Sequence, residues 1–313
     1  MAAALWSWRE AGKFCSNARD LAGVLGDMRA YLRLCRPHQW TKNLFVAAAL
    51  CFTPAAMSWA NAGRVALGFL LFCAVASAVY ILNDAIDRAA DRQHPVKRDR
   101  PLAAGRARLG PALALAALLG LGGLAGGYLL QLAFGHWLAV YLALNLGYCL
   151  GLKHVSILDV MLIAVGFVLR LEAGAALIAT PPSVWIVLCT FLLALFLAIA
   201  KRRDDLVGEL DRAHRRSLEG YNKVFLDAAM TVVLGALMVF YALYTTDEAV
   251  MARPGSDQPY FSVPFVLGGC PRHLQIALVE QRSGAPTEIV LRARFLILAI
   301  LGWALLMGLL IHG

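Results

Sequence analysis

Charge is scarce in this chain of 313 residues. Only 16% of them are Asp, Glu, Lys or Arg, while 60% are hydrophobic, well above the apolar share of an ordinary soluble domain. Cysteine pairs are missing too. The seven cysteines stand singly, at Cys15, Cys35, Cys51, Cys73, Cys149, Cys189 and Cys270, with no CxxC among them. That argues against a disulfide framework or a cysteine-based zinc site; most of these thiols sit in apolar context, where they pack as small hydrophobes. No signal peptide is evident: residues 1–8 are apolar but short, and Arg9 and Lys13 follow. The formal net charge of +9 would suit nucleic acid or anionic lipid. The bases instead gather in particular loops, a topology pattern, so no nucleic-acid partner is expected.

What is abundant is apolar sequence in blocks. Runs of about 20 residues recur between short polar links, and each can cross a bilayer core of roughly 30 Å as a helix. The expected class is an all-α polytopic membrane protein, with a soluble helical domain as the alternative. About nine spans are read, near 41–58, 65–83, 111–130, 134–150, 159–179, 184–201, 224–244, 262–280 and 294–311. The fourth is short. The eighth is weak, because GGCPRH at 268–273 puts Pro271 and Arg272 inside it. Residues 1–36 read as an amphipathic cytoplasmic or interfacial segment, with Arg19, Arg29, Arg33 and Arg36 among Leu21, Leu25, Met28, Leu32 and Leu34. Residues 37–313 then form a single transmembrane domain.

The links test this count. With the N-terminus cytoplasmic, the even links carry Lys97, Arg98, Arg100, Arg106 and Arg108, then Lys153, then Lys201, Arg202, Arg203, Arg212, Arg215, Arg216 and Lys223, then Arg282, Arg292 and Arg294. The opposite links hold only Arg64 and Arg253. This is the positive-inside pattern along the whole chain, and nine crossings place the C-terminus outside. Gly122, Gly123, Gly126 and Gly127 give two small-xxx-small pairs that permit close helix contact. Pro181–Pro182 marks a turn between spans.

Three charged groups sit on the cytoplasmic side. The first is YILNDAIDRAADRQHPVKRDRP, 80–101. On a helix continuing to Asp91, Asp84, Asp87 and Asp91 fall within about 60° of one another, and Asn83 lies about 100° from Asp84. Like charges so placed repel unless something positive lies between them. Oxygen ligands suit Mg2+, which often joins protein carboxylates to substrate phosphates. His94, Lys97, Arg98 and Arg100 follow at once, and Arg and Lys both bind phosphate oxygens. Topology control alone accounts for the bases but not for the acids before them.

The second group is YCLGLKHVSILD, with Tyr148, Lys153, His154 and Asp159. Asp159 reads equally as a helix cap or a functional acid, while Lys153 is the better anion ligand. Arg170, about 16 Å further along the same helix, approaches mid-membrane, where a charge usually faces a cavity, partner or pathway. Glu172 lies about 160° away around the helix and is not its obvious partner. The third group is AKRRDDLVGE, 200–209, where Asp205 is three or four residues from Lys201 and Arg202. It reads as a site rim or as an interfacial ladder of charges.

These motifs resemble the UbiA superfamily of intramembrane prenyltransferases through Asn83-Asp84-x-x-Asp87-x-x-x-Asp91. The resemblance covers nearly the whole chain and is nearest the bacterial decaprenyl-phosphate phosphoribosyltransferase branch. RPHQWTKN at 36–43, NDAIDRAADRQHPVKRDRPLAAG at 83–105, YCLGLKHVSILDV at 148–160 and KRRDDL at 201–206 carry it. The second Asp-rich motif usual in aromatic prenyltransferases is replaced by Tyr148, Lys153 and Asp159. The resemblance implies a UbiA-type bundle in a bacterial inner or plasma membrane, its active site facing the cytoplasm. It implies transfer of 5-phosphoribose from 5-phosphoribosyl 1-diphosphate to decaprenyl phosphate or a related polyprenyl phosphate, with diphosphate released. Asp84, Asp87 and Asp91 would hold Mg2+, with Asp84, Asp87 and Lys153 central to catalysis. Asn83 would orient a ligand or water, and Lys97, Arg98 and Arg100 would hold donor phosphates. Lys42 and Lys153 would take the acceptor phosphate or the donor's 5-phosphate. Arg170 would support the acceptor headgroup, and Tyr148, Asp159, Lys201 and Arg202 would complete the substrate contacts. Membrane lipids are further partners, and homo-oligomerisation stays open. Two rivals remain: an aromatic prenyltransferase using a polyprenyl diphosphate, and a transporter or lipid-binding protein.

Overall fold

The computed structural model describes residues 28–207, 216–247, 250, 259–280 and 293–312. Residues 1–27 of the expected N-terminal segment lie outside this set, as do Arg212, Arg215, Arg253, Arg282 and Arg292 of the charged links. Among the described residues all regular structure is α- or 3₁₀-helical. Helix α1 covers 28–34. There follow α2 (Phe45–Cys51), α3 (Trp59–Ile86), α4 (Arg88–Gln93), α5 (Leu109–Leu130), α6 (Leu132–Leu150), α7 (Leu158–Leu177), α8 (Val184–Val207), α9 (Lys223–Thr246), α10 (Val263–Leu278) and α11 (Arg294–His312). Helices α3, α5, α6, α7, α8 and α9 are long and apolar enough to cross a membrane.

The remaining expected spans take other forms. The stretch 41–58 begins inside a 3₁₀ segment, Pro37–Leu44, and continues through the seven-residue α2 to a second 3₁₀ turn, Pro54–Ala56. Thr53 precedes a proline, which disfavours helical geometry, and adopts φ −132°, ψ 79°. The seven residues of α2 rise only about 10 Å, well short of a bilayer core. The eighth span is the 16-residue α10, which runs through Pro271 without interruption.

The chain divides into two compact units, Met1–Thr41 with Ala74–Gly122, and Lys42–Cys73 with Gly123–Gly313. In the first, the described residues Ala30 and Leu34 pack with Ala78, Ile81, Leu102 and Ala112 in a buried cluster. Trp40 Nε1 donates to Ser77 Oγ (3.1 Å), and Ser77 Oγ donates to the Cys35 carbonyl (3.0 Å). The entrance segment is thereby tied to the second half of α3. In the second unit, α7 packs against α2, α6 and α8, and α8 against α9. Leu195, Phe196, Ile199, Leu226, Met230 and Leu234 lie in its core. Gly174 lets α7 meet α2 closely, since a Cβ there would collide with the Val46 carbonyl oxygen.

Candidate active site

In the first unit the acids and bases of 80–101 fold onto one another. The expected uninterrupted helix to Asp91 is bent at Asp87 (φ −82°, ψ 2°), which separates α3 from α4. Backbone bonds still run from Asp87 N to Asn83 O (2.9 Å) and from Asp91 N to Asp87 O (2.8 Å), so the acids keep near-helical spacing. Asp84 and Asp91 are buried. One nitrogen of Arg100, Nη1, lies 2.9 Å from Asp84 Oδ1 and 2.7 Å from Asp91 Oδ2. Two carboxylate oxygens thus converge on a single cationic group. Asn83 and Asp87 are half-buried.

Arg36 also pairs with Asp84 Oδ1 and lies over the Tyr80 ring at 5.3 Å. It holds φ +49°, a region costly for a residue with a Cβ. The sequence reading placed Arg36 in the entrance segment but not among the site residues. Its pairing with Asp84 spans 48 positions, and no local spacing rule reveals it.

The basic loop is ordered by its own hydrogen bonds. Arg88 Nε donates to Leu102 O and Arg92 Nε to Ala103 O, both at 3.2 Å. His94 is buried, and its Nδ1 accepts from the backbone N–H of Val96 (3.1 Å) and Lys97 (3.2 Å). That arrangement requires an unprotonated Nδ1. Of the expected phosphate contacts, Arg98 is exposed and Lys97 half-buried, whereas Arg100 turns into the acids.

In the second unit the 148–159 and 201–206 segments meet. Arg202 Nε donates to Asp159 Oδ2 at 2.6 Å, with both side chains essentially inaccessible to solvent. Arg202 Nη1 donates to Asp205 Oδ2 at 3.0 Å, and Lys201 Nζ lies 3.6 Å from Asp205 Oδ1. The other Asp159 oxygen accepts from Tyr221 Oη at 2.7 Å. Asp159 and Arg202 therefore spend their hydrogen bonds on each other and on neighbours. Lys201 is the exposed member of the group. Lys153 is buried in the 3₁₀ turn Leu152–His154, reached through Gly151 at φ +154°, while Tyr148 is half-buried and Lys42 exposed.

Tyr221 was also missed from sequence. It follows Arg216–Gly220, and the only signal was its proximity to the basic link. Burial and its hydrogen bond to Asp159 push its hydroxyl well above the ordinary tyrosine range.

Arg170 occupies a separate buried place. Nε donates to Asn43 Oδ1 (2.9 Å), Nη1 to the Gly166 carbonyl (2.7 Å) and Nη2 to Tyr141 Oη (2.9 Å). The rings of Tyr141, Phe167 and Phe72 lie 4.8, 5.2 and 5.4 Å from the guanidinium carbon. No carboxylate pairs with it among the described residues, and Glu172 stands apart. The charge is satisfied by neutral acceptors and aromatic faces.

For a divalent cation, the donor chemistry of the first cluster fits. Asp84 and Asp91 offer hard oxygen ligands that already converge on one positive centre. Among the described residues no group of three or more His, Cys, Asp or Glu is assembled to hold a metal.

Six apolar helices of membrane-crossing length, with charged clusters around helix ends, make this a multi-pass all-α membrane protein. The chain belongs to the UbiA prenyltransferase family, whose signature matches residues 43–298. It is 35% identical over 285 residues to the decaprenyl-phosphate phosphoribosyltransferase of Mycolicibacterium smegmatis, covering 87% of this chain and 89% of that protein. The protein of the same name from Corynebacterium glutamicum is 35% identical over 290 residues, covering 87% and 83%. A UbiA homolog from Archaeoglobus fulgidus, solved bound to DMAPP and Mg2+, shares the fold with a TM-score of 0.70. That match covers 89% of this chain and 98% of the other at 19% identity.

Proposed function

We propose that the chain transfers 5-phosphoribose from 5-phosphoribosyl 1-diphosphate to decaprenyl phosphate or a related polyprenyl phosphate. The observation that carries this reading is likeness, along most of the chain, to two relatives bearing that name. The acceptor phosphate oxygen attacks C1 of the ribose, and the C1–O bond to diphosphate breaks. The acceptor is already an anion near neutral pH, so the site needs no strong general base. Its work is to align two anions and suppress their repulsion.

Asp84 and Asp91, with Asp87, would hold Mg2+. Bound there, the ion would neutralise the departing diphosphate. Asn83 orients a ligand. Lys97 and Arg98 hold donor phosphates, Arg100 acts by holding Asp84 and Asp91, and Lys42, Lys153 and Lys201 supply further phosphate contacts. Tyr148 completes the substrate surface. Asp159, Arg202 and Arg170 act by holding other groups, because their hydrogen bonds are engaged within the protein. Residues 37–313 act as one catalytic domain crossing a bacterial plasma membrane nine times. Helices α10 and α11 and the segment 37–56, where 3₁₀ turns extend the short α2 on both sides, supply the crossings beyond the six long helices, and the links rich in Lys and Arg face the cytoplasm. The distribution of Lys and Arg among the links supports that orientation.

The test is a donor–acceptor screen on purified protein in lipid. Diphosphate release and a phosphoribosylated polyprenyl phosphate are expected only with the ribosyl donor, Mg2+ and lipid together. Prenylation of an aromatic acceptor without ribosyl transfer would overturn the proposal.

A further inference from the structure

The turn 216–221 is docked on the start of α7 by three separate devices. Ser156 Oγ donates to the Ser217 carbonyl at 2.7 Å. The Ile157 N–H donates to Tyr221 Oη. Gly220 lies so close to Ser156 that a Cβ would overlap the serine hydroxyl. Ile157 itself holds φ +69°, an outlying conformation for a β-branched residue. Such strain persists only where surrounding contacts over-determine it, and it clusters at functional sites.

From that turn a continuous polar chain runs to solvent. Tyr221 Oη donates to Asp159 Oδ1 at 2.7 Å, Arg202 bridges Asp159 Oδ2 (2.6 Å) and Asp205 Oδ2 (3.0 Å), and Asp205 Oδ1 lies 3.6 Å from Lys201 Nζ. Every link but the last is within hydrogen-bonding distance and little exposed. The last is long, and the Lys201 side chain is 52% exposed. A fixed carboxylate behind a mobile ammonium limits where that ammonium can reach while leaving its donors available to an anion.

We propose that Tyr221 is a positioning residue: acting through Asp159, Arg202 and Asp205, it sets where Lys201 presents its ammonium to a phosphate of the donor. This rests on the donor reading above and adds to it a residue outside the charged motifs. Removing the hydroxyl leaves one oxygen of a buried carboxylate without its donor, so the pair relaxes and the Lys201 contact loses its geometry.

The test is a double-mutant cycle on the full chain in lipid nanodiscs, titrated calorimetrically with inorganic diphosphate in the presence of Mg2+. Tyr221→Phe is expected to weaken diphosphate binding about tenfold in the native background, equal to one charge-assisted hydrogen bond. In a Lys201→Ala background it should add less than about twofold, because coupled residues are non-additive. In the transfer assay, KM for the ribosyl donor should rise in parallel while kcat stays within about twofold. Ser156→Ala, which only loosens the docked turn, should weaken binding severalfold in the same Lys201-dependent way. It carries the test if Tyr221→Phe fails to fold. Equal losses in both backgrounds, unchanged binding, or a fall in kcat alone would overturn the assignment. An intact cycle with no ribosyl transfer would sink the donor reading and leave the positioning role standing.

Discussion

Arg202 Nε lies 2.6 Å from Asp159 Oδ2, and the two side chains are 1% and 0% exposed. A buried pair of this kind is strong evidence of mutual dependence and weak evidence of net stabilisation. Removing one partner strands the other charge. Asp159→Ala should therefore destabilise the protein by about 3–5 kcal/mol. Replacing both residues with apolar ones of similar volume should cost much less. Thermal unfolding in detergent distinguishes the two, and a double variant that loses as much as the two single variants summed would mean that the pair is not coupled.

Much of this architecture is legible in the sequence, and the remainder fails for identifiable reasons. Six helices coincide with expected apolar runs because length and composition suffice to specify a membrane helix. The first span departs from expectation at Thr53–Pro54, where a local rule opposes a hydropathy average. Helix α8 continues to Val207 beyond its expected end, so Lys201, Arg202 and Asp205 ride on a helix rather than a loop. The spacing of Asp84 and Asp91 is readable locally. Arg36 and Tyr221 are not, since their partners lie 48 and 62 positions away and only tertiary packing brings them together. Asp159 was balanced between cap and functional acid, and the structure gives it a third role as counter-ion to Arg202.

The convergence of Asp84 and Asp91 on Arg100 Nη1 predicts a magnesium-dependent rescue. Arg100→Gln removes the charge between two buried carboxylates, which then repel. The variant should lose roughly 2–4 kcal/mol of stability in chelator and recover most of it in millimolar Mg2+, as ligand binding to the folded state requires. The unfolding midpoint with and without Mg2+ measures this directly. No response to the ion would remove these aspartates as ligands.

Arg36 combines an ion pair with a left-handed backbone. Arg36→Gln and Arg36→Gly both lose the pair with Asp84, but only glycine relieves the conformation at φ +49°. The glycine variant should be the more stable of the two by about 1 kcal/mol, read from paired denaturation curves. A less stable glycine variant would show that the conformation carries no strain there.

Two glycines on α7 should respond unequally to alanine. At Gly174 the added Cβ meets the Val46 backbone carbonyl, which cannot rotate away, whereas at Gly166 the nearest atom is Arg170 Nη1 at an ordinary 3.5 Å. Gly174→Ala should cost about 1–3 kcal/mol by overpacking and displace α2, disturbing the Asn43–Arg170 hydrogen bond. Gly166→Ala should be near neutral. Thermal midpoints of the two variants supply the comparison.

The raised pKa of Tyr221 fixes the sign of a pH effect at the alkaline end. Its hydroxyl is held protonated in the folded protein by burial and by the negative Asp159 beside it, while in the unfolded chain it ionises near the ordinary tyrosine value of about 10. Below that pH both states are protonated, and the tyrosine's contribution is fully present. As pH rises above about 10, the unfolded state releases its proton first, so stability falls at up to about 1.4 kcal/mol per pH unit. The fall continues until the folded-state pKa is passed. Tyr221→Phe should lower stability at pH 8 yet flatten this alkaline decline, so the native and variant curves approach each other between pH values of about 9.5 and 11. Unfolding midpoints collected across that range test the effect, and parallel curves would show that the Tyr221 proton is not linked to folding.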